Sequence, residues 1–351
     1  MVIFIIRRLV WGVMLCFVVT LITFLMFFVL PADSRSAQRN ERGFQPDLQT
    51  QFNLRGSLPE QYARFLGQIV LHGSLGDSTR ARAPVATVIS QTLPVTASLM
   101  LGGVVLWLLI AFPIGLLSAL RPRSLLDRGL MLFVLIAFSA HPVWLGLVFS
   151  YVFGVRLHVL PVGGYCDLHY HADSTNLCGG PRYWAYHMIL PWLTFGLVFA
   201  ALYARMIRAS VLESLDEDYV RTARAKGAGA FRVLRAHVLR NSLTPVVTMI
   251  GMDIGVAFAG ALFIETAFQL PGMGRLLVRS LANGDLPMVM GIVLTVSVAV
   301  VVVNLFIDIL YSVLDPRVRL RGKGDSVRVS AGLRKELRAQ PRVTKSATQA
   351  P

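Results

Sequence analysis

The sequence predicts an all-α, polytopic membrane protein with six transmembrane helices. Three observations carry this: an apolar share too large for a soluble core, apolar runs of spanning length, and basic residues confined to the segments between the runs. Of the 351 residues, 55% are hydrophobic and only 15% are charged. A soluble domain of this size has no interior able to hide that much apolar surface. The runs are about 20 residues long, the length an α-helix needs to cross roughly 30 Å of hydrocarbon. Lipid is the solvent that the composition implies.

The spans expected in order are Leu9 to Leu30, Thr96 to Leu120, Leu130 to Val155, Met188 to Ile207, Val246 to Phe268 and Met288 to Leu310. The first is preceded by Arg7 and Arg8, is longer than the apolar core of a cleavable signal, and lacks a small-residue cleavage site after it, so it reads as an uncleaved signal anchor. An even number of spans puts both termini on one side. Lys and Arg are concentrated in the segments on that side, which makes both termini cytoplasmic. The same distribution explains the net charge of +15 without nucleic acid, which would require a basic face or stripe.

The expected organisation is therefore an N-terminal cytoplasmic end with the first span (1–30), an extracytoplasmic loop (31–95), and a core of five spans (96–316) with a cytoplasmic loop at 208–244. A basic tail (317–351) follows, poor in large apolar residues, disordered and near anionic lipid headgroups. Within the first loop, Leu58 to Leu71 predicts a short helix at the membrane surface. No repeat of fixed short period is present.

The 208–244 loop is too long for a simple turn. Glu213, Asp216, Glu217 and Asp218 precede Tyr219, Val220, Arg221, Thr222, Ala223, Arg224, Ala225, Lys226 and Gly227. Acid before base is the order a helix dipole favours, and Gly227 stands as the C-terminal stop. Ala223 and Ala225 keep part of the surface low, as docking into a partner's groove requires. An ordinary solvated interfacial helix fits the charge pattern equally well.

These residues resemble the permease subunits of the dipeptide and oligopeptide (and nickel) family of ATP-binding cassette importers. Arg221-Thr222-Ala223, with Gly227 following, falls where the general importer loop has its Glu-Ala-Ala motif, and Asp218 to Gly227 looks like the peptide-branch version. The general motif ends in Leu-Pro; here Leu239-Arg240-Asn241 stands instead, which is again similar to the peptide branch. Leu71 to Ser78 with Pro84-Val85 resembles the family's outside Gly-x-Leu-Gly-Asp-Ser signature. Leu160 to Tyr165, Ile189-Leu190-Pro191, Phe268 to Arg275 and Asp315-Pro316-Arg317 are similar to later family segments, in order.

The resemblance implies a type I importer permease fold in the bacterial cytoplasmic (inner) membrane. It implies as partners a second permease subunit, two nucleotide-binding ATPase subunits and an extracytoplasmic solute-binding protein. Glu213 to Gly227 would be the coupling helix seated in a groove of an ATPase subunit. The chain has no Gly-x-x-x-x-Gly-Lys-Ser/Thr loop, so it binds no cofactor itself, and ATP and magnesium belong to the partner subunits. On this reading it is not an enzyme, but a subunit of an ATP-hydrolysing complex.

Polar groups inside apolar spans default to functional candidates. Asp253 is the deepest and is the candidate for lining the translocation path or pairing with the second permease; Asn304 is a further polar group in the last span. Glu265 and Asp308, nearer the membrane faces, are expected to reach water or an Arg. Gly251, Gly255 and Ala259 suit close helix packing. Pro113, Pro142 and Pro191 are expected to interrupt the second, third and fourth spans. Cys16 reads as a small buried hydrophobe. Cys166 and Cys178, with His169 and His171 between them, match no standard zinc spacing, and in an oxidising compartment a disulfide is favoured over a metal site.

Two other function classes compete. An intramembrane hydrolase would need a nucleophile and base in register, yet Ser139 and His141 point apart on a helix. A stand-alone secondary transporter or channel remains as the alternative, but it leaves the 208–244 loop without a task.

Overall fold

The computed structural model describes residues 2–26, 56–78, 80–168 and 178–314. Residues 31–55, His169, His171, Asp315-Pro316-Arg317 and the basic tail lie outside these residues, as does the side chain of Asp308. Among the described residues the fold is helical, with only two isolated β-bridges, Asp77 to Pro84 and Asp167 to Gly179.

Helix α1 (Val2–Phe24) is the first span, and Leu9, Trp11, Val13 and Met14 on its surface are exposed, as lipid-facing residues should be. The expected surface helix is present as α2 (Leu58–His72). Glu60 reaches back to accept from the backbone N–H of Ser57 at 3.2 Å, and Gly73 ends the helix at φ +61°. Tyr62 and Phe65 of α2 pack on Phe24 at centroid distances of 5.4 and 5.6 Å, seating α2 on the C-terminal end of α1.

The second span, α3 (Val85–Leu120), begins well before the expected Thr96. Val85 and Ile89 are buried there against Met288 and Ile292, so packing against the last span prolongs the helix. Pro94 and Pro113 both lie inside α3, and Pro191 lies inside α6 (Pro181–Asp216), so two of the three expected interruptions do not occur. A proline removes one helical hydrogen bond, and in these two spans the packing of α3 against α6 holds the helix through that loss.

Pro142 does break its span. Helix α4 (Leu125–Ser139) and helix α5 (Pro142–Phe149), continued by a π-turn at Ser150–Arg156, meet at 104°. His141 caps the new helix, its Nδ1 accepting from the N–H of Val143 at 3.3 Å, and Pro142 takes the first helical position, where no donor is needed.

Downstream lie α7 (Asp218–Ala225), the short α8 (Ala230–Val233), a π-turn at Leu234–Val238, α9 (Leu239–Ala267), α10 (Met273–Asn283) and α11 (Leu286–Leu314). Among the described residues five helices are long and apolar enough to cross a membrane, and the count reaches the expected six when the bent α4–α5 pair is taken as one broken span.

The main core is the seam between α3 and α6. Trp107 is fully buried, stacked on Phe199 at 4.8 Å and tilted against Tyr203 at 5.0 Å. Glycines on α3 make the approach possible. A Cβ at Gly103 would lie 2.3 Å from the ring of Phe195, and one at Gly115 would lie 2.7 Å from the carbonyl oxygen of Ala204. Trp192 donates its indole N–H to the Ser98 carbonyl at 2.9 Å, closing the seam near the N-terminal part of α6.

Gly115→Leu should therefore force α3 off α6 and lower thermal stability in detergent by about 1–3 kcal/mol. Gly129→Ala, at an exposed α4 position where nothing lies within 4 Å of the added methyl, should be neutral or stabilising by up to about 1 kcal/mol. Equal loss in both variants would show that the seam does not depend on the missing side chain.

Candidate functional site

The residues expected to form one docking helix are divided between two. Glu213 to Asp216 finish α6, Glu217 is extended (φ −70°, ψ 146°), and α7 covers only Asp218–Ala225. The expected single helix from Glu213 to Gly227 is thus corrected. The consecutive acids Asp216, Glu217 and Asp218 fall at the junction, where Asp218 sits favourably at the positive end of the new helix. Arg224 stands in the last turn, and Gly227 adopts φ +80° with its N–H donating to the Arg224 carbonyl at 2.9 Å. No atom would crowd a Cβ on Gly227, so only its backbone conformation calls for glycine.

Helix α7 has an inner and an outer face. Val220 is fully buried, and Tyr219 and Ala223 are half-buried beside it. Asp218, Arg221, Thr222 and Ala225 are exposed at the i, i+3, i+4, i+7 spacing of a single helical stripe, flanked by exposed Arg224 and Lys226. Ala225 thus lies on the outer surface as expected, whereas Ala223 faces the protein. The Arg221 to Asp218 contact, 3.7 Å with both side chains solvated, adds little stability and leaves both groups available to a partner.

About two turns before the end of α6 lies an ion pair that the sequence reading missed. Arg208 donates to both Asp127 oxygens at 2.9 Å and, through Nε, to the Ser118 hydroxyl at 3.0 Å. The Ser118 hydroxyl also donates to Asp127, and Asp127 accepts from the N–H of Arg123 at 2.9 Å. Asp127 is buried, with its own N–H bonded to the Ser124 hydroxyl at the start of α4. The visible signal was the Ser124-x-x-Asp127 capping pattern; its partner on α6 lies 81 residues away.

Asp253 is half-buried and accepts from the Tyr203 hydroxyl at 2.7 Å, so within this chain it is paired across α9 and α6. Gly251 packs toward Ile307, where an added Cβ would meet a methyl at 3.2 Å, whereas Gly255 has nothing within 4 Å and Ala259 is exposed. The small-residue stripe is thus only partly used inside the chain. Asn304 is half-buried at the same α9–α11 contact. Glu265 reaches neither water nor an Arg side chain: it is fully buried and accepts from Thr96 and from backbone N–H groups.

At the end of the bundle opposite α7, Gly164 donates to the Phe268 carbonyl at 3.0 Å, holding the segment after the third span against the end of α9. Cys166 and Cys178 are brought together as a disulfide pair with Cα atoms 5.2 Å apart, and His187 Nδ1 lies 3.3 Å from the Cys166 sulfur. The three side chains cluster within 4.8 Å, but a disulfide consumes both thiolates that a metal would need. Helix α10, between the last two spans, was missed altogether; burial and the neighbouring Arg279 hold its Arg275 below the ordinary arginine range.

Comparison with known proteins places this geometry in context. The family model described as binding-protein-dependent transport system inner membrane component matches residues 111–320, and the corresponding N-terminal model matches residues 1–100. The chain is 36% identical over 320 residues to a putative peptide permease protein of Brucella suis, covering 90% of this chain and 98% of that one. It is 35% identical over 334 residues to the dipeptide transport system permease protein of Escherichia coli K12, with the same coverage. It is also 35% identical over 331 residues to the di/tripeptide transport system permease protein of Pseudomonas aeruginosa, again covering 90% and 98%.

Removing Arg208 would leave Asp127 buried without its counter-charge. Arg208→Met should lower stability by about 3 kcal/mol, and adding Asp127→Asn should recover most of that loss. Thermal denaturation of the two variants checks this; a double variant as unstable as the single one would show that the charge is not what matters.

Proposed function

The chain belongs to the family of binding-protein-dependent transport system inner membrane components, and on that premise we propose that it forms half of a translocation path for peptides, driven through α7 by a partner ATPase. It is the permease subunit of an ATP-binding cassette importer, with the type I importer permease fold, and is not itself the catalyst. Peptides are the proposed cargo because the relatives matched along most of their length are named for peptide, dipeptide or di/tripeptide transport.

The observation that carries the coupling role is the exposed stripe of Asp218, Arg221, Thr222 and Ala225 on a short helix at the end of a spanning one. A charged rim around a small residue suits a groove on another protein, because Ala225 lets the partner's surface approach closely. Glu213 sits outside this stripe, on α6, and Gly227 acts by fixing the turn that ends α7. ATP and magnesium would be held by two nucleotide-binding subunits, with a second permease completing the path and a solute-binding protein delivering cargo from outside. With α7 cytoplasmic, both termini are cytoplasmic and the Cys166–Cys178 pair faces the oxidising side, where a disulfide is stable. The exposed part of α9, at Met252, Gly255, Val256 and Ala259, is the face proposed to meet the second permease, with Asp253 beside it at the path.

In the reconstituted complex, Ala225→Trp should lower solute-stimulated ATP hydrolysis about tenfold or more while leaving membrane insertion intact, and Ala225→Ser should stay near wild type. Full coupled hydrolysis in Ala225→Trp would refute docking through this face. The disulfide has its own check: both cysteines fall in one tryptic peptide, residues 157–182, which under non-reducing conditions should be lighter by two hydrogens.

A further inference from the structure

Helix α10 is fastened at its start by a buried carboxylate, and a second buried acid, whose carboxylate faces Ser78 and the first turn of α11, follows its end. At its start, Glu265 of α9 accepts from the Thr96 hydroxyl at 2.6 Å and from the N–H groups of Gly274 and Arg275 at 2.7 and 3.1 Å. The Thr96 oxygen accepts in turn from the N–H of Met273 at 2.9 Å. One threonine on α3 thus sits between the acid of α9 and the first turn of α10. At the other end, Asp285 accepts from the Ser78 hydroxyl at 2.5 Å and its N–H donates to the Ser280 carbonyl at 2.9 Å. Glu265 is 0% exposed and Asp285 is 2% exposed.

The glycines before α10 fit this arrangement closely. A Cβ on Gly272 would come within 2.4 Å of the Glu265 carboxylate oxygens, and one on Gly274 would lie 2.6 Å from the Cα of Leu262. The Pro271-Gly272-Met273-Gly274 segment is therefore shaped to bring backbone donors onto a buried acid. Packing alone explains none of this. The underside of α10 already buries Met273 and packs Leu276 and Leu277 against α3 and α11, whereas sinking a carboxylate is expensive unless its hydrogen bonds fix a geometry worth holding.

The position of the joint gives it a task. Thr96 stands on α3, the helix interlocked with α6, and α6 runs into α7. We infer that the Thr96–Glu265 joint ties the extracytoplasmic helix α10 to the α3–α6 pair, so that movement begun at α7 reaches the outer mouth through it. Thr96 and Glu265 are positioning residues: they act through α10 and touch no nucleotide. The inference rests on the importer reading and adds to it the route by which the two faces communicate.

The test uses the full reconstituted importer carrying Val278→Cys, on the exposed side of α10, with Cys16→Ser to remove the free thiol. A membrane-impermeant maleimide reports the labelling rate of position 278 with and without vanadate-trapped nucleotide. With Thr96 intact, trapping should change the rate. Thr96→Val, which keeps the shape but deletes both hydrogen bonds, should abolish that change and lower solute-stimulated hydrolysis about tenfold, with basal hydrolysis retained and the thermal midpoint lowered because Glu265 and the Met273 N–H each lose a partner. Thr96→Ser should restore both. A nucleotide-dependent labelling change that survives Thr96→Val, or that is missing when Thr96 is intact, overturns the inference. Absence of any solute-stimulated hydrolysis in the unsubstituted complex would instead overturn the importer reading, so the two failures are distinguishable.

Discussion

The close approach of α3 to α6 is the contact on which the other features depend. It places Trp107 beneath Phe199 and Tyr203, and it requires backbone rather than side chain at Gly103 and Gly115. In lipid the hydrophobic effect gives no reason for two apolar helices to prefer each other over acyl chains, so shape fit and a few polar contacts must hold them. Because the seam is shape-determined, polar groups carried on these two helices are fixed in place: Ser118 and Arg208 toward the α7 end, Tyr203 midway, Thr96 toward the opposite end.

A common chemistry links the buried or half-buried acids. Asp127, Asp253, Glu265 and Asp285 each accept from a hydroxyl on a different segment, namely Ser118, Tyr203, Thr96 and Ser78. A hydroxyl satisfies a carboxylate while needing little room and bringing no second ion to be desolvated. Only Asp127 also has a guanidinium partner, and it lies beside the segment that carries α7. The strongest charge pairing among these four thus sits nearest the proposed docking helix, and the other three acids rely on neutral donors.

The local features were legible in the sequence. Apolar run length located the spans, the Leu58 to Leu71 segment was recognised as the short helix α2, and the acid-to-base order with Gly227 marked α7. What was not legible depends on partners distant in sequence. Thr96 and Glu265 are 169 residues apart, so Glu265 looked like a residue on its way to water. The N-terminal extension of α3 follows from packing against α11, and Pro113 and Pro191 are tolerated because neighbouring helices hold the backbone; none of this shows in a local window. Helix α10 is short and amphipathic, and its Met273, Leu276, Leu277 and Ser280 stripe was overlooked between two strong apolar runs. The break at Glu217 was hidden because an unbroken acidic stretch is equally compatible with one helix or two.

That break has a mechanical consequence. Helix α6 has 36 residues, about 54 Å at the usual rise, so it is a stiff rod longer than the membrane is thick. Only Glu217 separates it from α7, and the Glu217 carbonyl accepts from the N–H groups of Val220 and Arg221 at 3.0 and 3.3 Å, so this one residue is already held by the first turn of α7. A joint this short has almost no backlash. If the bilayer acts as fulcrum near its middle, a sideways stroke of about 5 Å at the α7 end tilts a rod of roughly 50 Å by about 11° and swings its far end about 5 Å the opposite way. Lengthening the corner by even a few glycines would keep every contact on both helices and still waste the stroke.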